Sequence, residues 1–299
     1  MVFASVSTGY DHTCGLLSQG EAFCWGPNND HGQLDVPADV RFRQISAGRR
    51  FTCGIRLDRG ITCWGNYDHN KLEAPDGRFT SLDTGWDHAC ALDAGTAVCW
   101  GWNADERAAP PLELAFTAIG AGAEHSCGLT ITSDLHCWGK NDNGRADSRP
   151  GPFRELAVGA AHTCVLRADG SAYCQGQNAQ LQSAYAATPF RAISAGNDHT
   201  CGTRPDGTLE CWGGGSQIRN IRLTAPDGTY ASVSAGFRQT CAVNAQGQAA
   251  CWGHPYIATP APPYDNLNFT NALPDYALQQ PVEAFPWPSG GLLIADLSG

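Results

Sequence analysis

The sequence holds no apolar run approaching the ~20 residues that a membrane-spanning helix needs, so insertion into a membrane through a helix is not expected. It has no run of Lys or Arg, and its formal net charge is −10. A chain without a basic face is a poor candidate for nucleic acid. Charged residues are sparse at 16%, while Gly (35) and Pro (18) are plentiful. That balance suits many short strands joined by turns rather than long helices. No G-x-S-x-G, H-E-x-x-H or phosphate-binding loop occurs, so no catalytic site and no cofactor is expected. Nor is there a close C-x₂₋₄-C pair of the kind that zinc sites use. No signal peptide is present, since Met1-Val2-Phe3 runs straight into the first repeat. The expectation is a secreted protein whose leader is absent from this chain.

What is present is repetition. Fourteen cysteines fall into seven pairs: Cys14/Cys24, Cys53/Cys63, Cys90/Cys99, Cys127/Cys137, Cys164/Cys174, Cys201/Cys211 and Cys241/Cys251. The spacing within a pair is ten residues, or nine in the third, and first cysteines recur every 37 residues with steps of 39 and 40 at the ends. A fixed period of this size marks a repeat architecture. An even count at regular spacing implies disulfides and an oxidising compartment. The alternative, seven zinc sites, offers only two cysteines ten apart and one nearby His per repeat, a poor ligand pattern.

Aligned on the cysteines, the unit reads F-x-x-I-S-A-G-x-x-H-T-C-G-L-x-x-D-G-x-x-x-C-W-G-x-N. Repeat five replaces the Trp by Gln175, and repeats two and seven replace the His by Phe51 and Gln239. The spacing carries register. If Cys164 faces Cys174 across a hairpin, Val165 faces Tyr173 and Leu166 faces Ala172, leaving Ala168-Asp169-Gly170 as a loop with Gly in the left-handed position. Repeat three is one residue shorter, and its loop shrinks to Ala94-Gly95 while Cys90 still faces Cys99. Opposed residues lie ~4.5–5.5 Å apart, within disulfide range. An inner strand (Ile45-Ser46-Ala47-Gly48), a strand with the first cysteine, a strand with C-W-G and a short fourth make one unit. Seven such units closed radially give an all-β fold, a seven-bladed β-propeller of four-stranded antiparallel blades over residues 1–253. One disulfide staples each blade. The Pro-rich tail, 254–299, breaks the period, carries the one sequon at Asn268-Phe269-Thr270, and is a candidate for closing the ring.

The repeats resemble those of the regulator-of-chromosome-condensation superfamily, whose blades follow G-x-x-H-[ST]-x-x-L…D-G-x-V-x-x-W-G-x-N-x-x-G-Q-L. In the first repeat Gly9, His12, Thr13, Leu16, Trp25, Gly26, Asn28, Gly32, Gln33 and Leu34 match it. The cysteine pairs resemble the secreted variants, namely bacterial β-lactamase-inhibitor propellers and the ectodomains of plant crinkly-type receptor kinases. The resemblance implies a propeller but does not fix function, because family members exchange nucleotide on a small GTPase, inhibit enzymes or form receptor ectodomains. In the inhibitor type, aromatic residues between the Gly and the His of each blade grip the enzyme.

Consecutive antiparallel strands put the G-x-x-H turn and the turn after C-W-G on one face of the ring, with the D-G turns on the other. The x-x positions vary most. Closing the ring sets the large ones in one arc: Phe237-Arg238, Tyr10-Asp11, Arg49-Arg50-Phe51 and Trp86-Asp87. The opposite arc, from Ala123-Glu124 through Ala160-Ala161 to Asn197-Asp198, is small or acidic. Trp, Tyr and Arg dominate protein-binding hot spots, and loops on a rigid scaffold carry function. The arc is therefore the expected contact surface for a protein partner, with Asp30, Tyr67-Asp68, Trp102, Asp105, Asp142 and Arg145 as a rim. The alternative partner is a glycan, with Trp86 or Trp102 stacking on sugar rings beside Asp87 or Asp105. An enzyme would need a convergent acid/base pair in the central channel, where the inner strands supply mostly Ser, Ala and Gly, with Asp83 an exception. The recurring histidines His12, His88, His125, His162 and His199 suggest a metal ring, but seven-fold spacing separates them too far. They are expected to be structural, tied to backbone, and no metal site is expected. Asn141-Asp142-Asn143-Gly144 lacks the terminal Glu of a calcium loop and reads as a turn.

Overall fold

The computed structural model describes residues 1–184, 188–214 and 224–253. The tail from residue 254, with its sequon, Trp287 and its expected part in closing the ring, lies outside the described residues. Each repeat forms its own antiparallel meander. The first blade consists of β1 (Phe3–Thr8), β2 (Thr13–Leu17) and β3 (Ala22–Trp25). The same order continues to the seventh, with β19 (Ser232–Ala235), β20 (Gln239–Val243) and β21 (Ala249–Gly253). Three strands per blade pair continuously. The outermost, fourth position is marked by isolated bridges, as between Leu135 and Arg149. There the Ser148 hydroxyl takes the Cys137 N–H that a longer strand would have paired.

The cysteine register is the one the spacing requires. Cys164 faces Cys174, Val165 faces Tyr173 and Leu166 faces Ala172, and Gly170 is left-handed with φ 85°. In the shortened third blade Ala94 (φ 49°) and Gly95 (φ 88°) form the two-residue loop, and Cys90 keeps Cys99 opposite. All seven disulfides are formed, with Cα–Cα distances between 4.0 Å and 4.1 Å, tighter than the expected spacing.

The described residues share no single core. Apolar side chains form seven clusters between neighbouring blades. Phe51, Cys53 and Ile55 of the second blade meet Phe79, Leu82, Ala91 and Trp100 of the third. Phe3 and Trp25 meet Cys241, Val243 and Cys251, so the seventh blade packs on the first. The Trp of C-W-G also locks blades together through polar contacts. Trp64, Trp100, Trp138 and Trp212 each donate Nε1–H to a backbone carbonyl of the preceding repeat, on Gln33, Lys71, Arg107 and Gln182 respectively.

Candidate functional site

The G-x-x-H turns are held by a closed ring of seven backbone hydrogen bonds around the channel mouth. The residue after the Gly donates its N–H to a carbonyl of the next blade: Tyr10 to Gly48, Arg49 to Gly85, Trp86 to Gly122, Ala123 to Ala160, Ala160 to Gly196, Asn197 to Gly236 and Phe237 to Gly9. The last bond closes the ring. It also explains the Gly. A Cβ on Gly85 would overlap the Gly122 carbonyl oxygen, and one on Gly9 the Gly48 oxygen, so any side chain would push the blades apart.

The histidines form a second ring. His12, His88, His125, His162 and His199 are all fully buried. Their Nε2 atoms lie 2.7–2.9 Å from the hydroxyls of Thr52, Ser126, Thr163, Thr200 and Thr240 on the next blade. The expected tie to backbone is thus a tie to a neighbouring hydroxyl. Because Thr163 donates onward to the Arg145 carbonyl, it accepts from His125, which sets the Nε2–H tautomer. The departures from His obey the same logic. Gln239 donates to Thr13 at 2.6 Å, while Phe51 faces a third blade that carries Ala89 where the others carry a hydroxyl. Burial pushes His88 and His162 down to about 3 and His125 well below the usual imidazole range, so these three are neutral at physiological pH. Among the described residues no three metal-ligating side chains converge.

The turn after C-W-G lies on the same face, as the strand directions require. Asn66 N–H bonds the Arg50 carbonyl, Trp102 N–H that of Asp87, and Lys140 N–H that of Glu124. The expected arc assembles on this face. Tyr10 stacks on Phe237 with ring centroids 3.8 Å apart and meets Trp86 edge-on at 5.9 Å. The Arg49 guanidinium lies over both Tyr10 (5.4 Å) and Trp86 (5.2 Å). Arg238 lies over Phe237 at 5.0 Å. Side chains from blades seven, one, two and three therefore form one continuous stack at the mouth of the channel. Arg50 adds a left-handed backbone (φ 61°), uncommon for a residue with a side chain and concentrated at functional sites.

Some expected contact residues do not reach the surface. Phe51 is fully buried in the interface with the third blade. Asp87 is buried, with one carboxylate oxygen 2.7 Å from Lys71 Nζ and the other 3.6 Å from Arg49 Nη1. Arg145, expected on the rim, is buried and pairs with Glu124 at 2.8 Å. Of the rest of the rim, Asp30, Asp68, Asp105 and Asp142 are exposed, and Tyr67 (79% exposed) and Trp102 (41%) are the large apolar groups. Trp102 stacks on His69, centroids 4.7 Å apart, with Arg107 over its ring at 4.8 Å.

Reading along the chain missed the buried cations Lys71 and Arg107 and put the third, Arg145, on the rim. Superposing the repeats would have found them, because they occupy the position of Gln33 and Gln182 in the G-Q-L motif, which is buried in every one of these repeats. Asp83 lines the channel, a cavity of about 300 Å³. It accepts the Ala121 N–H (2.9 Å) and the Ser46 hydroxyl (3.1 Å). It thus does for the fourth blade what Ser7 and Ser46 do for the second and third. Burial raises its pKa to about 6.

The fold and this ring of repeats define a class, the all-β propeller with one disulfide per blade. The family model of the regulator of chromosome condensation (RCC1) repeat matches residues 3–33, 116–145, 153–182 and 190–217, so four of the seven repeats are similar to that repeat. The CRINKLY WD40 ectodomain of the Arabidopsis thaliana receptor kinase ACR4 is similar, with TM-score 0.71 and 22% identity over 87% of this chain and 98% of that one. The ectodomain of the Physcomitrella patens receptor kinase CR4 is also similar, with TM-score 0.71 and 23% identity over 84% of this chain and 74% of that one. Prp20p from Saccharomyces cerevisiae follows with TM-score 0.65 and 16% identity over 78% and 80%. No curated protein sequence matches the chain.

Proposed function

We propose that this propeller is an extracellular protein-binding module whose contact surface is the Tyr10–Arg49–Trp86–Phe237 arc. The observation that carries the reading is the continuous stack at the channel mouth. Four large side chains from four blades, each half-exposed, are held in one arrangement by the backbone ring beneath them. Rigid aromatic and Arg groups of this kind lose little entropy on binding. The seven disulfides support an oxidising location, and so does the likeness to two receptor ectodomains. Similar propellers are used for binding proteins: work on Prp20p concerns its binding to Gsp1p and histones, and Prp20 has been crystallised with Kap60.

The carbohydrate alternative leans on Trp102, whose ring already carries His69 and Arg107, and this leaves less face for a sugar. Among the described residues the hydrogen-bond partners of Asp83 are the Ser46 hydroxyl and the backbone amides of Ala121 and Thr84, none of them an acid. The test uses the chain as bait on culture supernatant or host extract, beside a Tyr10→Ala, Arg49→Ala, Trp86→Ala variant. Proteins retained by the wild type should be lost from the variant at an unchanged melting temperature. Equal retention by both would remove the arc as the contact surface, and specific signals on a glycan array would favour the carbohydrate reading.

A further inference from the structure

The partner's chemistry can be taken one step further, on the premise that the arc is the contact surface. The protein is acidic, at −10 overall, yet four of its 19 Lys and Arg residues lie at this arc. Among the described residues, the carboxylates within ion-pair distance of Arg49, Arg50 and Lys71 are Asp11 and Asp87. Asp87 is shared, because Lys71 holds one oxygen at 2.7 Å and Arg49 reaches the other only at 3.6 Å. Arg50 meets Asp11 at 4.0 Å, the outer limit of an ion pair. Arg238 has no carboxylate within ion-pair distance among the described residues, only the Phe237 ring beneath it. Arg49 Nε is buried without a hydrogen-bond acceptor among the described residues. The opposite arc is balanced differently, with Glu124 and Asp142 taking up Lys140 and Arg145.

We infer that the partner presents an acidic protein loop, whose carboxylates meet Arg49, Arg50 and Arg238 while an apolar side chain of the loop seats against Tyr10, Trp86 and Phe237. A neutral loop would strip water from three guanidinium groups and return nothing, which is costly. A carboxylate supplies the paired acceptors that a guanidinium fork takes. The stacking on Tyr10 and Trp86 already holds Arg49 in place, so little order is lost in forming those bonds. A long polyanion fits less well, because Asp11 and Asp87 lie within the same arc and the whole molecule repels it. A discrete loop can place a few carboxylates between those two.

The probe is a displayed library of random disulfide-closed loops, selected on the wild-type chain and on an Arg49→Glu, Arg50→Glu, Arg238→Glu variant of unchanged melting temperature. A parallel Arg→Gln set guards against misfolding of the Glu set. Loops from the wild type should be rich in Asp and Glu beside an aromatic or aliphatic residue. They should weaken in high salt and lose roughly tenfold or more in affinity on either variant set. Neutral or basic loops that still require Tyr10 and Trp86 would overturn the acidic partner and leave the contact surface standing. Loops indifferent to Tyr10 and Trp86 would overturn both. Heparin fragments displacing every selected loop, with the same dependence on the three arginines, would assign the surface to polyanions and overturn a protein occupant.

Discussion

A single residue, the buried His of each blade, links blade packing to pH. His88 and His162 titrate near 3 in the fold, and His125 is also held well down. In the unfolded chain each takes a proton below about 6.5. The unfolded state therefore binds more protons between about pH 6.5 and 3. The stability these groups contribute is whole above that window and is lost as pH falls through it. Asp83 acts in the opposite sense. Its folded pKa of about 6 exceeds the ordinary 3.8, so its contribution is whole below about 3.8 and is lost as pH rises to about 6. Three histidines outweigh one aspartate, so acid should destabilise the protein from pH 6 downward. His162→Gln is the informative variant, because Gln239 already makes the same hydrogen bond to Thr13. Its stability should match wild type near pH 7, and the slope of stability against pH between 6 and 4 should flatten by about 1.4 kcal/mol per pH unit. Denaturant titrations at a series of pH values measure this, and an unaltered slope would exclude the neutral-histidine account. The Gly beside His88 sets a steric limit. Gly85→Ala places a methyl on the Gly122 carbonyl and should cost about 1–3 kcal/mol in the same titration.

At the scale of the element, the hairpin was open to reading and the interface was not. Hairpin register depends on counting residues between two cysteines and finding a Gly where a left-handed turn needs one. Both facts lie within one stretch of sequence, and Cys164, Gly170 and Cys174 fall where the count puts them. Blade-to-blade contacts join residues about one repeat apart, and nothing local announces them. Arg145 sits in a polar turn and reads as exposed, yet the next blade covers it. Phe51 reads as an extra aromatic in a binding arc, yet its partner is Ala89, and the pair replaces a His–hydroxyl contact with an apolar one. The arc was legible because closing the ring on paper brings blade seven beside blade one. Its stacking and its shared carboxylates depend on side-chain geometry that spacing cannot supply. The staples act within elements and should be separable from those interfaces. Replacing Cys164 and Cys174 by Ala should remove about 2.5–3 kcal/mol through the unfolded state. Peptide binding at the arc should not change, because Cys164 and Cys174 belong to blade five, outside the blades that build the stack. A loss of binding as large as the loss of stability would show that the staples shape the face as well as the blades.

For the whole molecule, the question is whether the seam between the last blade and the first is weaker than the joints the chain runs through. Six interfaces have a covalent connection between their blades. Among the described residues the seventh is joined by contacts alone, including Phe3 N–H to the Gly247 carbonyl, the Thr8 hydroxyl and N–H to Ser234 and Gln239 to Thr13. These are the same kinds of bond found at the other interfaces: the Thr13 hydroxyl receives Gln239 as the Thr163 hydroxyl receives His125. Removing either hydroxyl leaves one buried donor without an acceptor, a loss of about 1–3 kcal/mol, and Thr163→Val also strips the Arg145 carbonyl of its donor. Thr13→Val should therefore cost about 1–3 kcal/mol and Thr163→Val more, each in a single unfolding transition seen alike by fluorescence and circular dichroism. If the seam were a loose edge, Thr13→Val would be nearly free, or a first transition confined to the outer blades would precede the main one. A sound seam also bears on recognition, because it runs between Phe237 and Tyr10. The stack that forms the centre of the contact surface crosses the joint, so a variant that opens the seam should lose peptide binding before it loses its fold.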